Sequence, residues 1–494
     1  MPEAERPDAP TPFEALVVLV RSRGAHYGAL ERPLPAPELP AGEVRTVPEA
    51  ALRELFLLWG LDREHAGQPG WNPLGAWCPP GARIVLKPNW VLHYNQAGQG
   101  LDCLLTHPGI IEAVARYVAL TRPARLVIGD APVQGCDFAA LRAACGLQNM
   151  TARLQALGLP VEVVDFRRTI LDASHLGAHR RESVRQLEDF VLFDLKQDSL
   201  LEGLASQSDR FRVTMYNPDL LARTHAPGRH QYLIAREVLA ADVVINLPKL
   251  KTHRKACLTG ALKNLVGING NKEYLPHHRK GGQGAGGDCY PGRSWWKSRA
   301  EDLLDAAHRR APGRAQSLLA SSAGVLCRLA GLLGADDNLE GAWYGNDTVW
   351  RTCLDLQRIL RYGRGDGAMS PTPQRQVVTV TDAIIGGDGE GPLANGPVPS
   401  AFLSGGLNPA AVEWAHARLM GFNPARIPLV REAFGQFPYP LVSFPASTVV
   451  VRTADGEIPV QGLHPFSDCT FRPPAGWAGH CELAGKVTGH GAPP

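Results

Sequence analysis

Residues 239–270 read LAADVVINLPKLKTHRKACLTGALKNLVGING, and this stretch decides the fold that we predict. Its run 243–247 is apolar, short and rich in β-branched residues, as in a buried parallel strand. Pro248 ends the run, because proline has no N–H to donate to a sheet ladder. The residues that follow predict a helix that ends at Gly267 and has an apolar stripe of Leu258, Ala261, Leu262 and Leu265. The order strand, turn and helix is one unit of an α/β sheet.

Cationic and amide side chains surround this predicted strand-to-helix junction. Lys249, Lys251 and His253 follow the strand, and Lys263 and Asn264 lie on the polar side of the helix. At the carboxyl edge of a parallel sheet such a set is typical of an anion site. The alternative is that these lysines are solvated surface groups, as most lysines are.

Strand and helix patterns alternate through much of the chain, which predicts an α/β fold with a mainly parallel sheet flanked by helices. The predicted strands start near residues 15, 83, 124, 161, 243 and 377. Lys87 and Asn89 follow the second strand and Asp130 the third. A carboxylate in this place is typical of a general base or metal ligand, and also of an ordinary turn. His107 is a candidate for proton transfer, or else the cap of the next helix.

A glycine-rich and basic segment occupies residues 269–293. The run His277, His278, Arg279 and Lys280 stands beside the sequence GGQGAGG. Glycines let backbone amides approach an anion closely, and the basic side chains supply positive charge. We predict a lid or anion-binding loop here, with disorder as the alternative. A later helix, 314–333, is mostly Ala, Leu and Ser and is expected in the core.

Three acidic residues follow the last predicted strand of the sheet, 377–383. Asp382, Asp388 and Glu390 lie on or beside a glycine-rich turn, IIGGDGEGP. Oxygen ligands of this kind suit Mg²⁺ or another divalent cation. Their spacing does not match an EF-hand, and the alternative is a tight turn whose acidic side chains bind no metal.

Composition restricts the class of protein. The formal charge of +3 over 494 residues is too small to indicate a nucleic acid or an anionic membrane as partner. Ten cysteines without a C-x-x-C pair predict neither an iron–sulfur cluster nor a zinc module. The first residues, MPEAERPDAPTP, are unlike a signal peptide, and no apolar run approaches the roughly 20 residues that span a bilayer. We therefore predict a cytoplasmic protein with a small anionic ligand and no membrane insertion, and its oligomeric state stays open.

We divide the chain into five segments. Residues 1–12 are expected to be disordered, and 13–270 form the first part of an α/β core. Residues 271–373 are predicted to be a basic glycine-rich loop with a mostly helical insertion. Residues 374–462 complete the core, and 463–494 are a loop-rich tail.

Several motifs together resemble one family. They are KPNWV at 87–91, GDAP at 129–132, PKLKTH at 248–253, TGALKNLVGING at 259–270, IGGDGEGP at 385–392 and LNPAAVEWAHARLMGFNP at 407–424. In this order, over about residues 15–428, the chain resembles the domain-of-unknown-function 362 (DUF362) family, and WYGNDTVWRTCLDLQRIL at 343–360 resembles its longer bacterial branch. The resemblance implies no established activity. Some relatives carry a fused cluster domain with closely spaced cysteines, which this chain lacks, and Glu413 stands where the family often has Asp.

The sequence favours an enzyme that acts on a phosphate- or carboxylate-bearing small molecule, with a reaction class that stays open. Lysines would neutralise the anion, carboxylates would hold Mg²⁺ or act as base, and Asp130, Lys263, His253 or His107 would take part in catalysis. A redox or metal-handling accessory protein and a non-catalytic ligand-binding module are the alternatives.

Overall fold

The computed structural model describes residues 13–172, 179–311, 313–332 and 339–483, and the predicted disorder of residues 1–12 lies outside them. The helices are α1 Val47–Trp59, α2 Pro108–Leu120, α3 Phe138–Ala144, α4 Leu147–Ala156, α5 Pro218–Thr224, α6 Arg236–Ala240, α7 Ala261–Asn264, α8 Trp295–His308, α9 Arg314–Leu332, α10 Val349–Tyr362, α11 Pro409–Leu419 and α12 Pro428–Glu432.

The strands alternate with these helices over the first half of the chain and again near its end. They are β1 Leu16–Arg21, β2 Ala29–Pro35, β3 Glu43–Thr46, β4 Arg83–Pro88, β5 Arg125–Asp130, β6 Val161–Asp165, β7 Thr169–Asp172, β8 His179–Glu182, β9 Phe190–Asp194, β10 Phe211–Arg212 and β11 His225–Ala226. The remainder are β12 Arg229–Ala235, β13 Val243–Leu247, β14 Lys249–His253, β15 Cys257–Thr259, β16 His278–Arg279, β17 Gln376–Glu390, β18 Ala394–Val398, β19 Phe402–Gly406, β20 Val450–Thr453 and β21 Gly456–Pro459.

One large mixed sheet organises the molecule and confirms the α/β prediction. Its strand order is β21-β20-β1-β19-β17-β13-β4-β5-β6, and β14, β15 and β18 extend it beside β17. Strands β17, β13, β4, β5 and β6 are mutually parallel, whereas β19 is antiparallel to both β17 and β1. Because the central strands are parallel, their carboxyl ends lie at one edge of the sheet.

Both faces of the sheet are covered, as the apolar central strands require. Val243 and Ile245 of β13 pack into an apolar cluster that includes α1, α2 and α4. Val244 packs into a second cluster, which includes α7, α10 and α11. The alternation of side chains along one strand thus supplies both halves of the core.

The chain after Pro248 differs from the prediction. The expected basic turn is the strand β14, which pairs in parallel with β17, and β15 folds back on β14. The expected helix is reduced to the short α7. Pro248 closes β13, but the chain finds a new partner at once in a strand more than 100 residues away, which no local pattern reveals.

The helix predicted at 314–333 is confirmed as α9, but its place in the core and the acidic turn were predicted wrongly. The segment IIGGDGEGP continues β17, a strand of 15 residues, and then turns into β18. Helix α9 packs on α8 but leaves most of its surface exposed, so it is not a core helix. Among the residues that the structure describes, α9 is the one helix whose length and apolar composition meet the requirements of a membrane span.

Candidate functional site

A buried ion pair joins the carboxyl ends of β4 and β5. Lys87 Nζ lies 2.7 Å from Asp130 Oδ1, and it also donates a hydrogen bond to the carbonyl of Pro88. Asp130 Oδ2 accepts the backbone N–H of Trp90 at 2.6 Å. Burial lowers the pKa of Lys87 and raises the pKa of Asp130, and each partner opposes the shift of the other. Two of the sequence-predicted residues are therefore in direct contact.

Asn264 of α7 forms hydrogen bonds both to this ion pair and to the ends of the neighbouring strands. Its Oδ1 accepts from Asn89 Nδ2 at 3.0 Å and from Lys87 Nζ at 3.3 Å. Its Nδ2 donates to the Lys87 carbonyl at 3.0 Å and to Asn246 Oδ1 at 2.8 Å. With all four bonds made, the amide orientation is determined.

A cluster of cationic side chains lies around Lys263, the residue before Asn264. Lys263 interacts electrostatically with Lys87, Lys251, His253, Lys255, Lys272 and His277. We call these seven side chains the lysine cluster. Among the described residues, the ammonium groups of Lys263 and Lys272 have no hydrogen-bond or ion-pair partner. Both side chains are partly exposed, so an ion from solvent can reach them.

Two lysines of the cluster carry strongly lowered pKa values. Burial, followed by the charge of Lys263, lowers the pKa of Lys272 to about 7. Burial, followed by the charge of Lys249, lowers the pKa of Lys251 to about 7. Within the part of the chain that the structure describes, Lys251 donates to two backbone carbonyls, those of Leu104 and Pro392, and to no side chain. Burial and like charges raise the free energy of the protonated forms more than the charge of Asp130 lowers it, and a bound anion would lower it further.

The two histidines of the cluster have opposite hydrogen-bonding roles. His253 Nδ1 accepts the backbone N–H groups of Lys255 and Ala256 at 3.0 and 3.3 Å, which leaves its ring proton on Nε2. His277 Nδ1 lies 2.6 Å from the carbonyl of Leu275 and donates to it, which leaves Nε2 as an acceptor. Burial and then Lys263 lower the pKa of both rings well below the usual range, so both are neutral near pH 7.

A second buried network lies where β14 pairs with β17. Lys249 Nζ lies 2.7 Å from Asp382 Oδ2 and donates to the Tyr27 hydroxyl at 2.7 Å, which itself donates to Asp382 Oδ1. The Asp382 carboxylate also accepts the backbone N–H of His107. The His107 ring stacks on Tyr27 with centroids 3.8 Å apart, and its Nδ1 caps α2. Lys251 interacts electrostatically with both Lys249 and Asp130, and so lies between the two networks.

The three residues predicted to bind metal do not meet. Asp382 belongs to the network with Lys249, whereas Asp388 pairs with Arg472 at 2.8 Å and Glu390 with Arg254 at 3.0 Å. Within the described residues, no three His, Cys, Asp or Glu side chains are grouped so as to hold a metal ion. Metal binding by this segment stays a prediction, and each of its carboxylates already has a cationic partner.

The basic run does not form a separate lid. His278 and Arg279 are buried in strand β16, which pairs with β10. Arg279 pairs with Asp288, and Lys280 bonds to Asp302 and Asp305 at 2.7 and 2.8 Å. Of the four residues, only His277 belongs to the lysine cluster as defined, although the charges of Lys255 and His277 also act on His278.

Sequence reasoning missed several members of these networks. Lys272 lies in the same glycine-rich segment as the basic run, but a single lysine among NGNKEY carries little signal. Lys255 follows a predicted turn, and Tyr27 lies ahead of a proline-rich linker. Asn246 offered the clearest signal, since a polar residue inside an apolar strand requires a partner.

A cavity of about 240 Å³ lies elsewhere, between α10, α11 and the start of β17. None of the sequence-predicted site residues lines it. Of its charged residues, Glu14 and Arg361 pair with each other at 2.8 Å, and Arg375 donates to three backbone carbonyls. We place the candidate site at the lysine cluster, where the charges are not balanced.

The chain is similar to a family model, to a curated protein and to a solved structure. Residues 203–418 match the family described as "Domain of unknown function (DUF362)". A thylakoid-associated protein of Synechocystis sp. is 27% identical over 212 residues, which are 43% of this chain and 47% of that protein, so the match spans about half the length of the relative. The crystal structure of a Thermotoga maritima protein aligns with a TM-score of 0.26 and 9% identity, over 67% of this chain and 53% of that one.

Proposed function

Residues 203–418 of this chain belong to the DUF362 family, whose description assigns no activity, and from the site itself we propose an enzyme that acts on a phosphate- or carboxylate-bearing small molecule. The observation that carries the proposal is the lysine cluster, in which Lys263 and Lys272 have no hydrogen-bond or ion-pair partner among the described residues, although the charge of Asp130 acts on Lys272. Folding that brings cations together at a free-energy cost is typical of sites where a ligand supplies the missing charge.

The cluster supplies the groups that such a reaction needs. Lys263 and Lys272 would neutralise the anion, and the Nε2–H of His253 would donate a hydrogen bond to it. His277 Nε2, an acceptor beside these cations, would take up a proton during the reaction. The Lys87–Asp130 pair supports the site through Asn264, which accepts a hydrogen bond from Lys87 and follows Lys263 in α7. Asp130, whose pKa is raised, is a second candidate for proton transfer.

Sulfate is the probe that tests this site first, because its charge stays constant over the neutral pH range. We expect the protein to bind sulfate in calorimetric titration, and Lys263→Met or Lys272→Met to weaken binding by about tenfold or more, the free energy of one charge-assisted hydrogen bond. Lys196→Met is the matched control, since Lys196 is exposed and is not a member of the lysine cluster. Equal affinity in all four proteins would refute the site.

Turnover separates an enzyme from a ligand-binding module. The proteins would be offered phosphate esters and carboxylic acids, and product formation that disappears in His277→Gln while sulfate still binds would support catalysis. Tight binding without turnover of any compound would favour the binding module. Elemental analysis of the same preparations tests the redox alternative and the predicted Mg²⁺, since stoichiometric iron would favour the former.

A further inference from the structure

The helical hairpin α8–α9 presents an apolar stripe to solvent. Leu318, Val325 and Leu332 are spaced by seven residues on α9 and are 69%, 53% and 82% exposed. Leu329 lies beside them on the same face and is 38% exposed. Gln316, Ala323 and Ala330, on the opposite face, are buried. The helix therefore exposes four large apolar residues, whereas the apolar residues that it buries fully are two alanines, the reverse of a surface helix in a globular protein.

The charges on α9 itself all have one sign, whereas α8 carries the half-exposed Asp302, which pairs with Lys280 and Arg299. Arg314 and Arg328 lie on the exposed side of α9, and residues 314–332 contain no Asp or Glu. Arg309 and Arg310 extend the positive charge through the turn between the helices, although Arg309 pairs with Asp219. The next acidic residues along the chain, Asp336 and Asp337, lie outside the described residues.

An aromatic side chain completes the surface. Trp295, at the start of α8, is 61% exposed, and the Arg299 guanidinium lies over its ring at 5.7 Å. Since α8 and α9 are antiparallel, Trp295 lies at the end of the hairpin where α9 finishes with Leu332. Tryptophan and arginine together are typical of the boundary between lipid headgroups and acyl chains.

From this geometry we propose that the α8–α9 hairpin binds the surface of an anionic lipid bilayer, with α9 lying in the plane of the interface. The stripe enters the acyl boundary, and Arg314 and Arg328 meet the phosphates of anionic lipids. Charge complementarity distinguishes this occupant from a second copy of the chain. Two α9 helices packed along the same stripe would place four arginines along one interface, with no acidic residue on either helix to compensate.

Vesicle flotation of the full chain tests the proposal. We expect the protein to float with vesicles of phosphatidylcholine and phosphatidylglycerol, and much less with phosphatidylcholine alone. The triple variant Leu318→Gln, Val325→Gln, Leu332→Gln should lose at least about tenfold in partitioning, because three apolar side chains no longer enter the interface. The matched control replaces exposed apolar residues elsewhere, Val184→Gln, Leu187→Gln, Leu192→Gln, and should float as the wild type does.

The charges have their own variants. Arg314→Gln and Arg328→Gln should each weaken binding by about fivefold at low salt and by less at high salt. Absence of flotation, or flotation that is equal in the stripe variant and the control, would overturn the proposal. A dimer seen by light scattering that the stripe variant abolishes, without any flotation, would assign the stripe to a second copy instead.

Discussion

At the scale of single residues, Gly267 decides whether the Lys87–Asp130 pair can form. A Cβ at this position would lie 1.9 Å from Asp130 Oδ1 and 2.8 Å from Lys87 Nζ. We expect Gly267→Ala to lower the free energy of unfolding by about 1–3 kcal/mol, the usual cost of overpacking, because the ion pair has to move. Gly135→Ala is the control, since its Cβ would meet nothing within 4 Å, and it should change stability by less than about 0.5 kcal/mol. Thermal unfolding of the two variants against the wild type measures the difference.

The lowered pKa of Lys272 predicts how anion binding depends on pH. The protonated amine binds the anion, and with a pKa of about 7 it is mostly protonated at pH 6 and mostly neutral at pH 8. Sulfate affinity should therefore rise about tenfold from pH 8 to pH 6, with proton uptake on binding. Lys272→Met should flatten this profile. Titration in two buffers of different ionisation enthalpy measures the proton uptake, and a profile that is equally steep in the variant would contradict the assignment.

Still at the residue scale, the sequence predicted which polar residues lie at the strand ends better than it predicted which of them contact one another. Lys87 and Asp130 were chosen because they follow strands and Asn264 because it lies on the helix after one, and parallel pairing brings such strand ends together. The pairing of Lys249 with Asp382 was not predictable, because it depends on a register between β14 and β17 that no local signal carries. The sequence therefore gave no indication that the Asp382 carboxylate pairs with an ammonium group.

At the scale of elements, glycine residues caused the main error in predicting secondary structure. Gly386 and Gly387 indicated a flexible turn, but they lie within β17. A Cβ at Gly387 would lie 2.4 Å from the carbonyl of Cys103, and one at Gly386 would lie 2.6 Å from the Phe471 ring. The glycines are therefore required by close packing on both sides of a strand and not by a turn.

Helix α7 depends on a buried carboxylate from α11. Glu413 Oε2 accepts the backbone N–H of Ala261 at 2.7 Å and lies 3.3 Å from His416 Nδ1, while His416 Nε2 contacts Ser404 Oγ at 2.9 Å. Without Glu413 the first N–H of α7 is buried and unpaired, which costs about 1–3 kcal/mol.

We expect Glu413→Ala to lower both the melting temperature and the sulfate affinity, because α7 carries Lys263. Glu413→Gln keeps an acceptor for Ala261 and should restore most of both quantities. Glu457→Ala, which removes an exposed partner of Arg452, is the control and should change neither. If Glu413→Ala lost stability but bound sulfate normally, Glu413 would have no part in positioning Lys263.

At the scale of the whole molecule, the sheet was predictable and its periphery was not. Six strand positions and the parallel core follow from short apolar runs between helical patterns. The antiparallel strand β19 between β17 and β1 did not follow, nor did the exposed α9, because apolar composition alone does not say which partner covers a helix.

The C-terminal segment 463–483 shows how far the core extends beyond the sheet. It was expected to be a loop-rich tail, yet Trp477 is buried and donates its indole N–H to the carbonyl of Arg254 at 2.7 Å. This contact fixes the turn between β14 and β15, directly before Lys255 of the lysine cluster. Trp477→Ala should therefore lower the free energy of unfolding by about 3–5 kcal/mol, as loss of a buried large aromatic side chain does.

The same substitution should weaken sulfate binding, because the backbone that carries His253 and Lys255 loses its support. Trp295→Ala removes an exposed tryptophan and should leave both quantities within error, which controls for the loss of aromatic surface. Denaturant unfolding of the two variants measures the free energy of unfolding, and calorimetric titration measures the sulfate affinity. Wild-type affinity in a destabilised Trp477→Ala would show that the segment stabilises the core without shaping the site, whereas parallel losses would show that the C-terminal segment belongs to the site.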